Sequence, residues 1–386
     1  MPRSRLETLD SLRGIASVVV LLHHELLLVP AFSAFFWAGY HANFGHIANP
    51  AEALLFLTPL RLLWAGHEAV ILFFVLSGFV LSLPWVEGRP PRYLPFVLRR
   101  FCRIYLPYIV AAAIAAALFM IVPHHEADPA SLLHADDWNN FRIGGATVTN
   151  YVFMLNLVQQ QFVNKAMWSL VFEMRVSLVF PLLMIPILRW RTLGAACLIL
   201  ALVAGAAALP APPSPIAQLA DTMHYAAYFV LGAAAALRMG EVRAALTRCS
   251  PTGRLAFIGL GVLLIWRPAY SENAVLPAFG SAVLIYAALL PGGMERFLMK
   301  PVLRGLGRIS YSLYLLHVPV LLTIYYLGRD KLPLAVILLA AFPTALLAAW
   351  LYHLAVEAPA TRLGAALTRG GAAFGFRVAR ASAPAP

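Results

Sequence analysis

Charge is scarce in this sequence of 386 residues: charged residues make up 12% of it, whereas hydrophobic residues make up 61%. A soluble domain carries about 25% charged residues, so the composition excludes an ordinary soluble protein and predicts an integral membrane protein. Lysine is nearly absent, with only Lys165, Lys300 and Lys331, and arginine carries almost all of the positive charge. The net charge of +12 is explained by basic loops on the cytoplasmic side of a membrane, so we expect no nucleic-acid partner.

Cysteine is also rare: the three cysteines, Cys102, Cys197 and Cys249, are scattered without metal or redox spacing. In addition, no pair of histidines or carboxylates has metal-ligand spacing on one helix. We therefore expect inert thiols and no metal site.

The N-terminus also lacks the uninterrupted apolar core of about 7–15 residues that a cleaved signal peptide has. Arg13 and the pair His23–His24 interrupt it, which predicts an uncleaved first helix.

Long apolar stretches are what the sequence does contain. A membrane-spanning helix needs about 20 apolar residues, and ten segments approach that length. We therefore predict an all-α, polytopic membrane domain over residues 1–366 and a disordered cytoplasmic tail over residues 367–386. The ten segments are 9–29, 68–86, 104–122, 166–187, 193–209, 222–239, 255–267, 274–290, 309–328 and 333–356.

The basic residues between these segments alternate between two sides. One side holds 21 of them and the other holds 6, while Arg13 and Arg175 lie inside helices. By the positive-inside rule this predicts that both termini are cytoplasmic, in the inner membrane of the cell. Two long segments, 30–67 and 123–165, are then outside, and loops of this length tend to be functional.

The first helix keeps ionisable residues at a cost of several kcal/mol each. Arg13 and His24 are eleven residues apart, so they share one helix face about 16 Å apart, with His23 roughly 80° away from it. Asp10 is close enough in sequence to pair with Arg13. The arrangement is compatible with a functional site. A structural role explains it equally well, with His24 bonding a neighbouring helix and Arg13 extending to the lipid headgroups.

The fourth helix carries Glu173 about 7–8 Å below Trp168, close to the depth estimated for His24. A carboxylate there could set the tautomer or basicity of the imidazole. The alternatives are a bond from Glu173 to a serine or the backbone, or an indirect link to Arg175.

Three arginines, Arg99, Arg100 and Arg103, begin the third helix. They can be a cytoplasmic basic cluster, or they can bind phosphates. Mid-helix Ser77 with Gly78 permits close helix approach, while Ser77 could also line a cavity. In the ninth helix Tyr311, Tyr314 and His317 follow one another at spacings of three residues. His317 is interpreted as structural.

The ordered set of motifs resembles the acyltransferase family 3 membrane proteins, which acylate cell-surface glycans and some small molecules. The resemblance covers nearly the whole chain, and although each piece is weak alone, the ordered set is specific. One departure lies in the fourth helix, where the family often has "WSLxxE" followed by "xFY" and this chain reads "EMRVSLVFP", which leaves the partner of Glu173 open. The matching motifs are "LDSLRGIASVVVLLHH", "FFVLSGF", "RRFCRIYLP", "WSLVFE", "YFVLGAAAA", "ISYSLYLLHVP" and "HLAVEAPATRL".

The resemblance implies an enzyme of about ten transmembrane helices that moves an acyl group, acetyl above all, from cytoplasmic acyl-CoA to a hydroxyl of an extracytoplasmic glycan or glycolipid. It implies that Arg13 and His24 are essential, with His24 a catalytic base or transient acyl carrier, and that Arg100 and Arg103 serve donor binding or stability. Arg13, His24 and Glu173 form the candidate catalytic set. The candidate donor site consists of Arg99, Arg100, Arg103 and Ser77. The alternative is a glycan or lipid transporter that uses intramembrane His, Arg and Glu as a relay.

Overall fold

The computed structural model describes residues 3–37, 47, 49–123, 138, 143–157, 163–210, 216–266 and 274–369. Every regular element among these residues is helical, which confirms the all-α expectation. The α-helices are α1 (Arg3–Leu26), α2 (Pro30–Trp37), α3 (Pro50–Leu57), α4 (Gly66–Val86), α5 (Tyr93–Arg100), α6 (Leu106–Ile121), α7 (Gly145–Val152), α8 (Trp168–Ala207), α9 (Ala217–Arg248), α10 (Pro251–Ile265), α11 (Val275–Ala288), α12 (Gly293–Leu298), α13 (Pro301–Gly328), α14 (Leu334–Tyr352) and α15 (Ala358–Arg369).

Several of these helices are membrane-spanning by length and composition. Within the described residues five helical stretches are long and apolar enough, or six if α1 and α2 count as one span bent by 109°. Leucines on their outer surfaces are strongly exposed, for example Leu200 at 69% and Leu339 at 76%. Lipid can cover such side chains at no cost, because its tails are as apolar as leucine. The protein is therefore a multi-pass membrane protein.

Each of the ten predicted apolar segments overlaps a helix. The fourth and fifth segments overlap one continuous helix, α8. This helix is broken at Arg191, where φ is +53°. Beyond this break the chain folds back, and a methyl group on Gly194 would lie 2.1 Å from the carbonyl oxygen of Pro186. The helices α10 and α11 are short, with 15 and 14 residues. Ten spans therefore stay a prediction.

Two glycine crossings hold the centre of the bundle together. A methyl group on Gly14 of α1 would lie 2.5 Å from the backbone nitrogen of Gly307 in α13, and one on Gly78 of α4 would lie 2.0 Å from the carbonyl oxygen of Phe229 in α9. Glycine lets helix backbones approach this closely. The close helix approach expected at Gly78 is thus present, and the crossing of α1 with α13 and that of α4 with α9 lie next to the site described below.

The segment 30–67, which we expect to lie outside, is folded in its described parts rather than being a plain loop. Phe35, Phe56 and Trp64 form a buried aromatic cluster there. Beside it Arg61 and Glu68, only 2% and 1% exposed, make an ion pair of 3.3 Å. Burying two charges is costly unless they are paired, so this pair ties the segment to the first turn of α4.

Most of the other long segment, 123–165, lies outside the described residues. Its described parts include α7 and a 3₁₀ turn, Lys165–Met167, that leads into α8. At the other end of the chain α15 continues to Arg369, three residues into the segment expected to be disordered, and packs on α5. Residues 370–386 of the expected tail lie outside the described residues.

Candidate active site

A narrow cavity opens between α1, α4, α8 and α13, beside the start of α6. Its free volume of about 60 Å³ is room for a few water molecules. Three guanidinium groups and one carboxylate line it, so its formal charge is positive. The lining residues are Arg13, Val70, Phe73, Phe74, Ser77, Val80, Arg100, Arg103, Ile104, Ser169, Leu170, Glu173, Ser310, Tyr311 and Tyr314.

Two polar pairs shape the charged part of this cavity. Arg13 lies 3.7 Å from Asp10 one turn earlier in α1, the pairing that their spacing allows. The Ser77 hydroxyl donates a hydrogen bond of 3.2 Å to Glu173 Oε1, from α4 to α8. Ser77 lies next to the Gly78 crossing, so one pair of small residues both packs the helices and lines the cavity.

The three arginines that precede α6 have different surroundings: Arg99 and Arg100 end α5, and Arg103 lies in the turn that follows. A π-helical turn, Phe101–Tyr105, joins α5 to α6, and such turns are frequent at functional sites. Arg100 and Arg103 line the cavity. Arg99 instead donates a hydrogen bond of 2.7 Å to the Thr368 hydroxyl of α15. The candidate donor site is therefore narrowed to two of the three arginines.

The structure gives Glu173 a partner other than an imidazole. Glu173 lines the cavity with Arg13 and accepts its hydrogen bond from Ser77, the serine alternative that the sequence left open. Arg175 lies on the other face of α8. It donates hydrogen bonds to the carbonyl oxygen of Leu155 at 2.6 Å and to that of Gln218 in α9 at 3.4 Å. These contacts give Arg175 a structural role.

His24 lies beyond the far end of the cavity from the arginines. Its ring is 5.0 Å from the ring of His317, which in turn is 5.8 Å from the ring of Tyr314. The Tyr314 hydroxyl lines the cavity and shares a 2.5 Å hydrogen bond with Ser169. A row of packed side chains, Ser169, Tyr314 and His317, therefore leads from the cavity to His24. His317 Nδ1 also lies 3.0 Å from the Leu313 carbonyl oxygen of its own helix, a structural contact.

His23 has the contacts of a structural residue, as its direction from the helix predicts. It is 7% exposed, its Nδ1 is 2.9 Å from the carbonyl oxygen of Trp64, and its ring packs against Phe36 at 4.9 Å. Gly66 leaves space for it, because a methyl group there would lie 2.5 Å from the imidazole.

Sequence reasoning missed two polar residues near the cavity, Ser169 and Asn164. Ser169 is four residues before Glu173 in α8, so helical periodicity alone puts both on one face, and this signal could have found it. Tyr311 stood out by spacing; in the structure it lines the cavity and donates a 2.9 Å hydrogen bond to the Ile104 carbonyl oxygen inside the π-helical turn. Asn164, whose side chain donates a 2.6 Å hydrogen bond to the Leu315 carbonyl oxygen of α13, carries no pattern that reveals this contact from the sequence.

Comparison with known proteins identifies the family to which the chain belongs. The family model described as "Acyltransferase domain" matches residues 6–354, so the chain belongs to that family of acyl-transferring enzymes. The chain is 27% identical to Acyltransferase MdmB of Streptomyces mycarofaciens over 383 residues, covering 88% of this chain and 93% of that protein. It is 30% identical to O-acetyltransferase PaAT-1 of Phomopsis amygdali over 118 residues, but this match spans only 28% of the chain and 22% of that protein. No solved structure matches.

Proposed function

We propose that this protein is a membrane-embedded O-acyltransferase that moves an acetyl group from cytoplasmic acyl-CoA to a hydroxyl of an extracytoplasmic glycan or glycolipid. It has ten membrane spans, with both termini in the cytoplasm, in the inner membrane. The observation that carries the proposal is the row of polar side chains between the arginine-lined cavity and His24. It joins a site suited to phosphates with a site suited to proton transfer.

The arginine end suits the donor. Acyl-CoA carries phosphates on its nucleotide and ends in a thioester on a long, flexible arm. Charge-assisted hydrogen bonds from guanidinium groups to phosphate are among the stronger polar interactions. The cavity has no room for a nucleotide, so the nucleotide stays at the mouth near Arg100 and Arg103, and the thioester arm points past Arg13.

The histidine end suits the acceptor. A hydroxyl is a poor nucleophile near neutral pH, and a positioned imidazole accelerates its attack by about 10²–10⁴-fold through general base catalysis. The hydroxyl oxygen forms a bond to the thioester carbonyl carbon while His24 takes the hydroxyl proton. The carbon–sulfur bond then breaks, and the same proton passes from His24 to the departing CoA sulfur. The name of the relative PaAT-1, O-acetyltransferase, supports a hydroxyl acceptor and an acetyl group.

The direct test uses purified protein in vesicles without an ion gradient. We expect acetyl-CoA to be consumed and free CoA to be released when cell-surface glycan from the native strain is added. Mass spectrometry of surface polysaccharide should show acetyl groups that are lost from a strain without the gene. If acetyl-CoA is neither bound nor consumed, and transport of glycan or lipid is observed instead, the relay-driven transporter replaces the enzyme.

A further inference from the structure

The backbone of α13 is interrupted where it passes the histidines. Pro319 lies inside this helix, and proline has no N–H to donate to the carbonyl oxygen four residues earlier. That carbonyl belongs to Leu315, which is fully buried. The side-chain amide of Asn164 donates a 2.6 Å hydrogen bond to it. An asparagine side chain thus takes the place of the missing backbone donor.

Asn164 is itself held firmly from both sides. Its side chain is fully buried, and its Oδ1 accepts a 3.3 Å hydrogen bond from the backbone N–H of Ala166, which caps the turn leading into α8. Its own backbone N–H donates to the Tyr151 hydroxyl at 3.3 Å. One residue therefore joins the beginning of α8 to the interrupted turn of α13.

The residues on the two sides of this junction belong to the row that leads to His24. Tyr314 directly precedes Leu315, and His317 follows two residues later. Ser169, which bonds Tyr314, lies in the first turn of α8. A shift of α8 along α13 would alter the Ser169–Tyr314 and His24–His317 contacts together. Displacement of about 1 Å in an active site can lower a rate by about 10²-fold.

We propose that Asn164 is a positioning residue for acyl transfer: it replaces the N–H that Pro319 lacks and thereby holds Tyr314 and His317 in place between the donor cavity and His24. The proposal rests on the proposed function for its kinetic consequence. The hydrogen bond that it invokes is tested separately, through stability.

The experiment is a double-mutant cycle on the full-length protein in detergent or vesicles. Asn164→Ser keeps an oxygen that can cap Ala166 but is too short to reach Leu315. Pro319→Ala returns a backbone N–H to the same carbonyl. Asn150→Ser is the matched control, because Asn150 is also buried and bonds the backbone N–H of Leu157 at 2.9 Å, away from α13.

We expect Asn164→Ser to lower the melting temperature and to reduce kcat for acetyl-CoA by about ten- to a hundredfold, with KM for acetyl-CoA unchanged. Adding Pro319→Ala should recover most of both losses, since the Leu315 carbonyl then has a donor of its own. Asn150→Ser should leave kcat near the wild-type value.

The proposal is overturned if Asn164→Ser keeps the wild-type kcat, or if Pro319→Ala recovers neither stability nor rate. Should Asn164→Ser give no folded protein, the double variant must fold, and failure to do so also overturns the proposal. If the wild-type protein transfers no acetyl group but the two substitutions are coupled in stability, the proposed function fails and the hydrogen bond stands.

Discussion

The division of the three arginines gives a sharp test of where the donor binds. Arg100 and Arg103 line the cavity, whereas Arg99, in the same cluster, bonds Thr368 outside it. Replacing each by alanine removes one positive charge within the same short stretch of chain. The three variants therefore have the same net charge and differ only in whether the lost guanidinium faced the cavity.

The expected size of the effect follows from the bonds removed. A hydrogen bond to a charged group contributes about 1.5–3 kcal/mol, which corresponds to about a 10- to 150-fold change in Kd. Arg100→Ala also loses contact with the Phe96 ring, 5.9 Å from its guanidinium, so the melting temperature is measured beside affinity. Arg99→Ala should change the Kd for acetyl-CoA by less than about twofold. The Arg99 side chain bonds Thr368 outside the cavity, and exposed charged groups contribute little.

The assay is equilibrium binding of acetyl-CoA to purified protein by calorimetry at two salt concentrations. Exposed charges are screened at high salt, so a contribution that persists at high salt indicates a contact inside the cavity. Equal losses for Arg99→Ala and Arg103→Ala would show that only general charge matters. Unchanged affinity in both Arg100→Ala and Arg103→Ala would move the donor site to Arg13 or to the 238–254 segment.

Two further predictions concern orientation and packing. A cysteine at Ala146, an exposed position of α7, should react with a membrane-impermeant maleimide in intact cells, and protection from the reagent would contradict the outward placement of this segment. Gly78→Ala should lower the free energy of unfolding by about 1–3 kcal/mol, because its methyl group would lie 2.0 Å from the Phe229 carbonyl oxygen. Gly240→Ala in α9, with open space around it, should be neutral or stabilising; equal thermal unfolding of the two variants would contradict the crossing.

The sequence predicts the helical segments well because a membrane imposes a length and a composition on each span. The same constraint makes intramembrane charges conspicuous, and Arg13, Arg100 and Glu173 do meet in one cavity. Helical periodicity within α1 separates the structural His23 from the face of Arg13. Such inferences succeed because they need only one helix at a time.

Relations between helices could not be predicted in the same way. The partner of Glu173 depends on how deep α8 sits against α4, which its own sequence does not determine. The separation of Arg99 from Arg103 occurs across a π-helical turn, which departs from the regular 3.6-residue period of an α-helix. The bond from Asn164 to Leu315 joins residues 151 positions apart, and neither residue belongs to a periodic pattern.

The most direct test of the account is the acetyl-transfer rate of two adjacent histidine variants, His24→Gln and His23→Gln, with acetyl-CoA and surface glycan in vesicles. Glutamine keeps a polar side chain but cannot serve as a base at neutral pH. We predict that His24→Gln, at normal expression, lowers the rate by at least about 10²-fold, and that His23→Gln keeps most of the activity. An active His24→Gln beside an inactive His23→Gln would contradict the central claim that His24 performs the proton transfer.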